Sequence, residues 1–509
     1  MPMRNTDERT VAEGGGGTSA RPMLEAERGG FIDRHDLWTE SQYASAAQMR
    51  RVMDEVGIEM VRFCFVDQHG VIRGKTLTRA SVAAALRSGV TAPSSLLLKD
   101  SAGKSVYAVF ESDTVSNVDG FSGAGDIVMV PDPGTFRVLP WSRRTGMVLC
   151  DVRFPNGAEV PFCTRSILRR EVKKLAERDL ALTVGAELEF HVFRLADSLL
   201  ADSRVGRPGQ PGLPVAVHPT TSGSQLLHDE SLDTLDELVQ ELYSGLTLMD
   251  LPLRSIELEF GPNQLEITME AGDASAVADA VVFARTAIRQ ICRRLGYHAT
   301  FMSRPVGAET ASTGWHLHQS MRRLSSGENV FVPCAGDAAL SPVGMHYLAG
   351  LLAHAAASAS FATPTVNGYK RYQPYSLAPD RVLWGIDNKG AMVRAVCAVG
   401  DPASRLENRS GEPGANPYLY IASQIVSGLD GIDRQLEAGP PTENPYQDDA
   451  ERLPSTLGEA LGALELDPVF GEAFGDRVIE WYLKIKRSEY ARYLAHVSDW
   501  EQREYFGML

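Results

Sequence analysis

The sequence predicts an α+β protein: a small sheet-and-helix unit followed by a larger domain of strands and long helices. Three observations point there. Residues 58–66 form a strand-like run, followed by the turn Asp67-Gln68-His69-Gly70 and a second short run over 71–75. Apolar residues recur at helical spacing over 166–178, 274–295, 344–360 and 476–495. Between these helices lie four short segments in which polar and apolar residues alternate, as they do along a strand with one face buried.

Taken in order, residues 1–35 are polar, charged and rich in glycine, with Gly14, Gly15, Gly16 and Gly17 in a row. They read as a disordered tail and lack the apolar core of a secretory signal. A small α/β unit follows over about 45–150. Its strands are expected at 58–66, 71–75 and 126–130, with a helix at 80–87. The larger domain begins near 155. Two glycine- and proline-bearing stretches, 204–223 and 437–455, are long loops, and loops of such length are commonly functional or mobile. No internal repeat is present.

The 509 residues carry a formal net charge of −15, which disfavours binding to nucleic acid phosphates. Cys64, Cys150, Cys163, Cys292, Cys334 and Cys397 are scattered, with no Cys-x-x-Cys pair. That pattern suits idle thiols in a reducing compartment better than a zinc site or a disulfide framework. No apolar run is long enough to span a membrane. A cytoplasmic location is expected.

The four alternating segments carry the chemistry. Glu187-Leu188-Glu189-Phe190 places two carboxylates on one face and two apolar groups on the other. Glu257-Leu258-Glu259-Phe260 repeats this and runs into Gly261-Pro262-Asn263-Gln264-Leu265-Glu266. His316, His318 and Ser320 share a face of the third segment, opposite Trp315 and Leu317. Arg405, Glu407 and Arg409 share a face of the fourth. One Glu-x-Glu or His-x-His strand alone usually means a solvated face. Four together describe a sheet packed on one side and lined with charge on the other. Carboxylate oxygens with an imidazole suit Mg²⁺ or Mn²⁺ better than structural zinc, and Mg²⁺ sites commonly hold nucleotide phosphates. Lys370, Arg371, Lys389 and Arg394 supply cations suited to carboxylates and phosphates, or serve as ordinary surface charges.

In this order the segments resemble the glutamine synthetase family. Its E-x-E-F strand is Glu187 to Phe190, its E-x-G-P-G-Q-x-E motif is Glu259 to Glu266, and its G-x-H-x-H-x-S strand is Gly314 to Ser320. Its N-x-Y-K-R motif is Asn367 to Arg371, its R-x-E-x-R motif is Arg405 to Arg409, and its A-N-P-Y-L motif is Ala415 to Leu419. The resemblance implies an N-terminal β-grasp domain over 45–152. It also implies a catalytic domain over 155–509, built on a curved antiparallel half-barrel sheet. Stacked rings, often of twelve subunits, with active sites between subunits, are implied as well.

The resemblance also implies residue roles. Glu189, Glu259 and Glu266 match ligands of a metal near the substrate glutamate. Glu187, His316 and Glu407 match ligands of a metal holding ATP phosphates. Arg371 and Arg409 match positions gripping the glutamate carboxylate or its phosphorylated form. Arg371, Arg394 and Lys389 are the expected catalytic cations, while Ser320, His318, Arg394 and Arg405 match nucleotide-facing positions. ATP and Mg²⁺, or Mn²⁺, are the implied cofactors.

The departures concern the acceptor. Family members that use ammonia carry a glutamate in a Y-E-A-P flap, where this chain has Leu377 within Tyr375-Ser376-Leu377-Ala378-Pro379. The N-G-S-G before the histidine strand reads Ala311-Ser312-Thr313-Gly314, and no D-G-S-S motif is recognisable near Asp100. The stretch Asp67 to Lys75 resembles the D-x-x-G-x-x-R-G-K of γ-glutamyl-amine ligases. The expected function is therefore ATP-dependent γ-glutamylation of an organic amine: a polyamine, an alkylamine or an aromatic amine. A true glutamine synthetase and a catalytically silent regulatory homologue are the alternatives. Tyr446 lies near the tyrosine adenylylated in bacterial glutamine synthetases, and reads more simply as a loop residue.

Overall fold

A computed structural model describes residues 28–110, 120–196, 205–221, 225–305, 311–373, 375–446 and 449–509. Most of the expected tail, residues 1–27, lies outside them, as does part of the expected loop 204–223. The tail's last residues correct the expectation. Phe31–Arg34 form a short helix with Phe31 and Ile32 buried, because this apolar pair packs into the small domain's core.

The helix Glu40–Val56 begins at a capping box formed by Thr39 and Gln42 and stops at Gly57, whose φ of 72° suits glycine. The strand Met60–Val66 pairs antiparallel with Ile72–Thr78 and parallel with Thr145–Arg153. Asp126–Pro131 pairs with Thr145–Arg153 and with Val90–Pro93, completing most of a sheet that has six strands among the described residues. The loop between the first two strands is tied inward. Asp67 Oδ1 accepts from the backbone of His69 at 2.9 Å and Val71 at 3.0 Å, and Arg73 Nε donates to Oδ2 at 2.8 Å. Buried Arg285 donates to the carbonyls of Gly70, Pro413 and Ala415, and Asn416 Nδ2 donates to that of Asp67. The loop is thereby pinned against the Ala415-Asn416 motif.

Among the described residues the larger sheet has nine strands. Its path runs from Trp384–Ile386 through Val393–Val396, Arg405–Gly411, Trp315–Arg323, Leu180–Leu195 and Gln264–Asp273 to Leu253–Leu258. Tyr297–Thr300 and Val217–His218 also pair with the long central strand Leu180–Leu195. On that strand Val184, Ala186, Leu188, Phe190 and Val192 are all at most 1% exposed. They face the helices Thr164–Ala176 and Ala274–Arg294, while the glutamates face the other way. Shifts of register at Met269/Gly272, Thr268/Met269 and Trp315/Leu317 bend the strands and curve the sheet. One edge departs from the expected antiparallel order: Trp384–Ile386 runs parallel to Val393–Val396. The chain leaves the sheet at Asp387, whose φ is 48°, and re-enters in the same direction.

The helix expected over 344–360 is two helices, Pro342–Ala353 and Ala355–Ala362. The break is at His354, whose ring bridges Asp467 Oδ2 at 2.7 Å and Asp430 Oδ2 at 2.8 Å. Burial disfavours the imidazolium, but these two carboxylates outweigh it and raise its pKa above the ordinary histidine value. A raised folded-state pKa contributes stability that is complete below the unfolded value of about 6.5. That contribution is lost as pH rises through the folded value. His354→Gln is expected to destabilise the protein by about 2 kcal/mol at pH 6 and by less at pH 9. Urea melts of both proteins at the two pH values check this; an equal loss at both would contradict it.

Candidate active site

The charged face of the large sheet is assembled by register. His316 lies opposite Glu187, and Glu189 lies opposite Glu266. Glu266 in turn lies opposite Glu257, while Glu407 lies opposite both His318 and Arg394. Residues far apart in sequence thus meet because each strand repeats the same two-residue alternation. They line or adjoin a cavity of about 500 Å³.

Oxygen and nitrogen donors converge there in two groups, Glu187 with Glu266 and His316, and Glu187 with His318 and Glu407. Within each group the donor atoms lie within 4.8 Å of one another. His318 Nε2 is 2.9 Å from Glu187 Oε1, and His316 Nδ1 is 3.2 Å from Glu187 Oε2. Glu189 stands beside these groups, with His316 Nε2 at 3.8 Å from its Oε1. Its Oε2 accepts from Gln264 Nε2 at 2.8 Å and from the Gly314 backbone at 2.9 Å. Glu259 lines the same cavity and accepts from the Phe260 backbone.

The electrostatics divide the cluster. Burial, then the neighbouring Glu259 charge, pushes Glu189 up to about 8. Burial, then Glu189 and the other glutamates, pushes Glu266 up to about 10. Glu187 is held well below the usual carboxylate range: burial opposes ionisation, but hydrogen bonds from His316 and His318 outweigh it. Glu407 is likewise lowered against burial by His316 and Arg409. Burial lowers His316, and Arg409 adds to the effect, which favours the neutral imidazole that metals bind. A dication fits this arrangement. Crowded carboxylates that must otherwise hold protons, with one neutral imidazole, are a hard-cation donor set.

The cations stand beside the cluster. Arg394 Nη1 donates to Glu407 at 3.0 Å and Arg394 Nε to Asp387 at 2.9 Å, while Arg409 also pairs with Glu407. Arg371 is 2% exposed and donates to the Ser410 carbonyl at 3.1 Å. The Nε–H groups of Arg371 and Arg409 are buried without a partner among the described residues, leaving donors for an anion. Gly314 permits this crowding: a Cβ there would sit 3.0 Å from Arg371 Nη2 and 3.2 Å from His316 Nε2. Asn263 takes a φ of 67°, which asparagine tolerates where the resembled motif has glycine.

Of the residues singled out in the sequence, Glu187, Glu189, Glu259, Glu266, His316, Arg371, Leu377, Lys389, Arg394 and Arg409 all line the cavity. Glu407 and His318 touch lining residues, and Arg405 Nε donates to His318 Nδ1 at 3.1 Å. Ser320 lies on the same strand farther from the cluster, opposite Thr183. Asp100 caps its own turn and pairs with Arg492 at 2.9 Å. The Tyr446 hydroxyl is buried. Sequence reasoning gave no role to Glu257, whose place two residues before Glu259 was the signal. It also missed Gln264 as the group holding Glu189, and Leu226 and Leu227, which lie in a loop without periodicity.

Divalent ions are expected to stabilise the protein by about 2.7 kcal/mol at about 100 times Kd. Glu266→Gln should abolish this while stabilising the metal-free protein, since the buried carboxyl must take up a proton on folding and an amide need not. Thermal melts with and without Mn²⁺ test it; a Glu266→Gln protein that responds to Mn²⁺ as the wild type does would contradict it.

Residues 161–505 match the model of the glutamine synthetase catalytic domain. The chain is 42% identical over 500 residues to γ-glutamylanilide synthase of an Acinetobacter species, covering 95% of this chain and 100% of that one. It is 31% identical over 392 residues to glutamate–isopropylamine ligase of a Pseudomonas species, covering 76% of this chain and 83% of that one. Its fold matches the solved GmaS–ADP complex with a TM-score of 0.75 at 27% identity, covering 90% of this chain and 99% of that one. The chain belongs to the glutamine synthetase family and is an ATP-dependent carboxylate–amine ligase.

Proposed function

We propose that this enzyme joins the γ-carboxylate of glutamate to an organic amine, using ATP and Mg²⁺ or Mn²⁺, through a γ-glutamyl phosphate. The observation that carries the reading is one cavity whose lining joins a carboxylate–imidazole cluster and arginines to the turn bearing Tyr375, Leu377 and Ala378. Ligation of amines by the relatives named above supports it.

A carboxylate is a poor acyl donor because its leaving group would be oxide. Transfer of the ATP γ-phosphoryl group to a γ-carboxylate oxygen releases ADP and creates a phosphate leaving group. The amine nitrogen then attacks the acyl carbon, phosphate departs, and one amine proton is lost. Bound divalent ions supply positive charge for the phosphate oxygens. Glu187, His316 and Glu407 would hold the nucleotide-side ion, with His318 beside them; Glu189, Glu259 and Glu266 would hold the glutamate-side ion. Arg371 and Arg409 grip the substrate carboxylate and its phosphorylated form through the free Nε–H groups. Lys389, Arg394 and Arg405, with Ser320, face the phosphates and the nucleotide. Little covalent work falls to the protein, so positioning and charge carry the catalysis.

The enzyme acts in the cytoplasm as a ring oligomer with sites between subunits. Among the described residues no helix is long and apolar enough to cross a membrane. The exposed Trp500, Phe506 and Leu509 of the C-terminal segment give a second copy an apolar surface to cover.

An amine panel tests the reading. ADP formation with glutamate is expected to need an organic amine, at a kcat/KM about tenfold or more above that for ammonium. Mass spectrometry should find the γ-glutamyl amide. Robust turnover with ammonium alone would establish glutamine synthesis instead.

A further inference from the structure

A further buried carboxylate stands outside the cluster that lines the cavity. Glu412 follows the strand Arg405–Gly411 directly and is 1% exposed. Its Oε2 accepts from Ser303 Oγ at 2.8 Å and from Thr365 Oγ1 at 2.8 Å, and its Oε1 accepts from the Thr365 backbone at 2.9 Å. Burial pushes its pKa above the ordinary carboxylate value, and the bonds from Ser303 and Thr365 and the charge of Arg371 oppose that rise.

Each of these bonds leads to a segment that shapes the cavity. The Ser303 carbonyl accepts from the Thr313 backbone at 2.9 Å. On either side of Thr313, Gly314 donates its N–H to Glu189 at 2.9 Å, and the Ser312 carbonyl accepts from Gln264 Nε2 at 3.0 Å. In the other direction, Thr365 Oγ1 accepts from the Gly368 backbone at 3.1 Å. Gly368 opens the helical turn Gly368–Arg371, which ends on Arg371. The carboxylate packs against that turn so closely that a Cβ on Gly368 would collide with Glu412 Oε2. The two arms meet at the cavity, where a Cβ on Gly314 would sit 3.0 Å from Arg371 Nη2.

A second set of bonds joins the same segments nearer the surface. Asn367 Oδ1 accepts from the Arg304 backbone at 2.8 Å, and Asn367 Nδ2 donates to the Arg304 carbonyl at 3.0 Å. Those bonds are exposed to water, whereas the carboxylate is not. Hydrogen bonds to a buried charged group are stronger than neutral ones, and removing the acceptor strands its donors.

We propose that Glu412 is a positioning residue for the ligation: it ties Ser303 to Thr365 and so fixes the Arg371 guanidinium against the Gly314 backbone, at the spacing that receives the substrate carboxylate. The inference rests on the function proposed above, in which Arg371 grips that carboxylate. Glu412 itself does not line the cavity. Its effect is nevertheless large, because a misplacement of about 1 Å by a residue remote from the chemistry costs about a hundredfold in rate.

The test measures steady-state kinetics and Tm of the full-length enzyme with ATP, Mg²⁺, glutamate and whichever acceptor the wild type turns over fastest, organic amine or ammonium. Glu412→Gln is expected to raise the KM for glutamate by about tenfold or more, while the KM for ATP stays within about twofold. Thr365→Val removes the hydroxyl at similar volume and should raise the glutamate KM about fivefold; Thr365→Ser keeps the hydroxyl and should stay within about twofold of the wild type. His354→Gln, outside the cavity lining, supplies the comparison for lost stability alone and should leave both KM values unchanged. An unchanged glutamate KM in Glu412→Gln, or a rise matched by the KM for ATP, would overturn the inference. So would an equal rise in His354→Gln. Equal effects of Thr365→Val and Thr365→Ser would overturn it too, and that pair decides the matter if Glu412→Gln does not fold. Turnover with ammonium alone would contradict the proposed function while leaving the KM comparison in force, since either acceptor follows the same activation of the carboxylate.

Discussion

Like-charge crowding on one face of a curved sheet is the constraint around which this molecule is built. Glu187, Glu189, Glu259, Glu266 and Glu407 share the space around His316, and two are pushed up, Glu189 to about 8 by burial and Glu259, and Glu266 to about 10 by burial and Glu189. Left unpaired, such a cluster opposes folding. Three features hold it. Cross-strand register fixes the spacing, apolar side chains on the opposite face bury the strands, and Arg371, Arg394 and Arg409 place positive charge beside it. A bound dication is the remaining counter-charge, which links affinity for metal to the stability of the fold.

The sheet's other face explains why the crowding is tolerated. The central strand is nearly inaccessible from Leu182 to Val192 on its apolar side, packed between long helices. A one-residue slip would turn glutamates into that core and leucines into the cavity. The register that assembles the site is therefore the register that buries the core, and neither can move without the other.

Much of this was legible in the sequence because strands repeat every second residue. Glu187 with Glu189, His316 with His318, and Arg405 with Glu407 and Arg409 all announced a shared face before any pairing was known. What was not legible depended on tertiary context. The split at His354 arises from two distant aspartates, Asp430 and Asp467, that helical periodicity cannot register. Phe31 and Ile32 sat in a polar stretch and became ordered only through a core supplied by later segments. Leu226 and Leu227 carry no periodic signal and reach the cavity through a left-handed turn. Leu377 was visible as a departure from a motif, but the apolar mouth around it emerges only when separate loops are brought together.

The cavity's lining is thus specified in two ways: the carboxylate–imidazole cluster by strand alternation, the apolar side chains by loop conformation. The central claim concerns the first, and anomalous scattering from crystals grown with Mn²⁺ and an ATP analogue addresses it most directly. The expected result is one Mn²⁺ within coordination distance of Glu187, His316 and Glu407, and a second within coordination distance of Glu189, Glu259 and Glu266. Saturating Mn²⁺ with no anomalous peak among these residues would contradict the account.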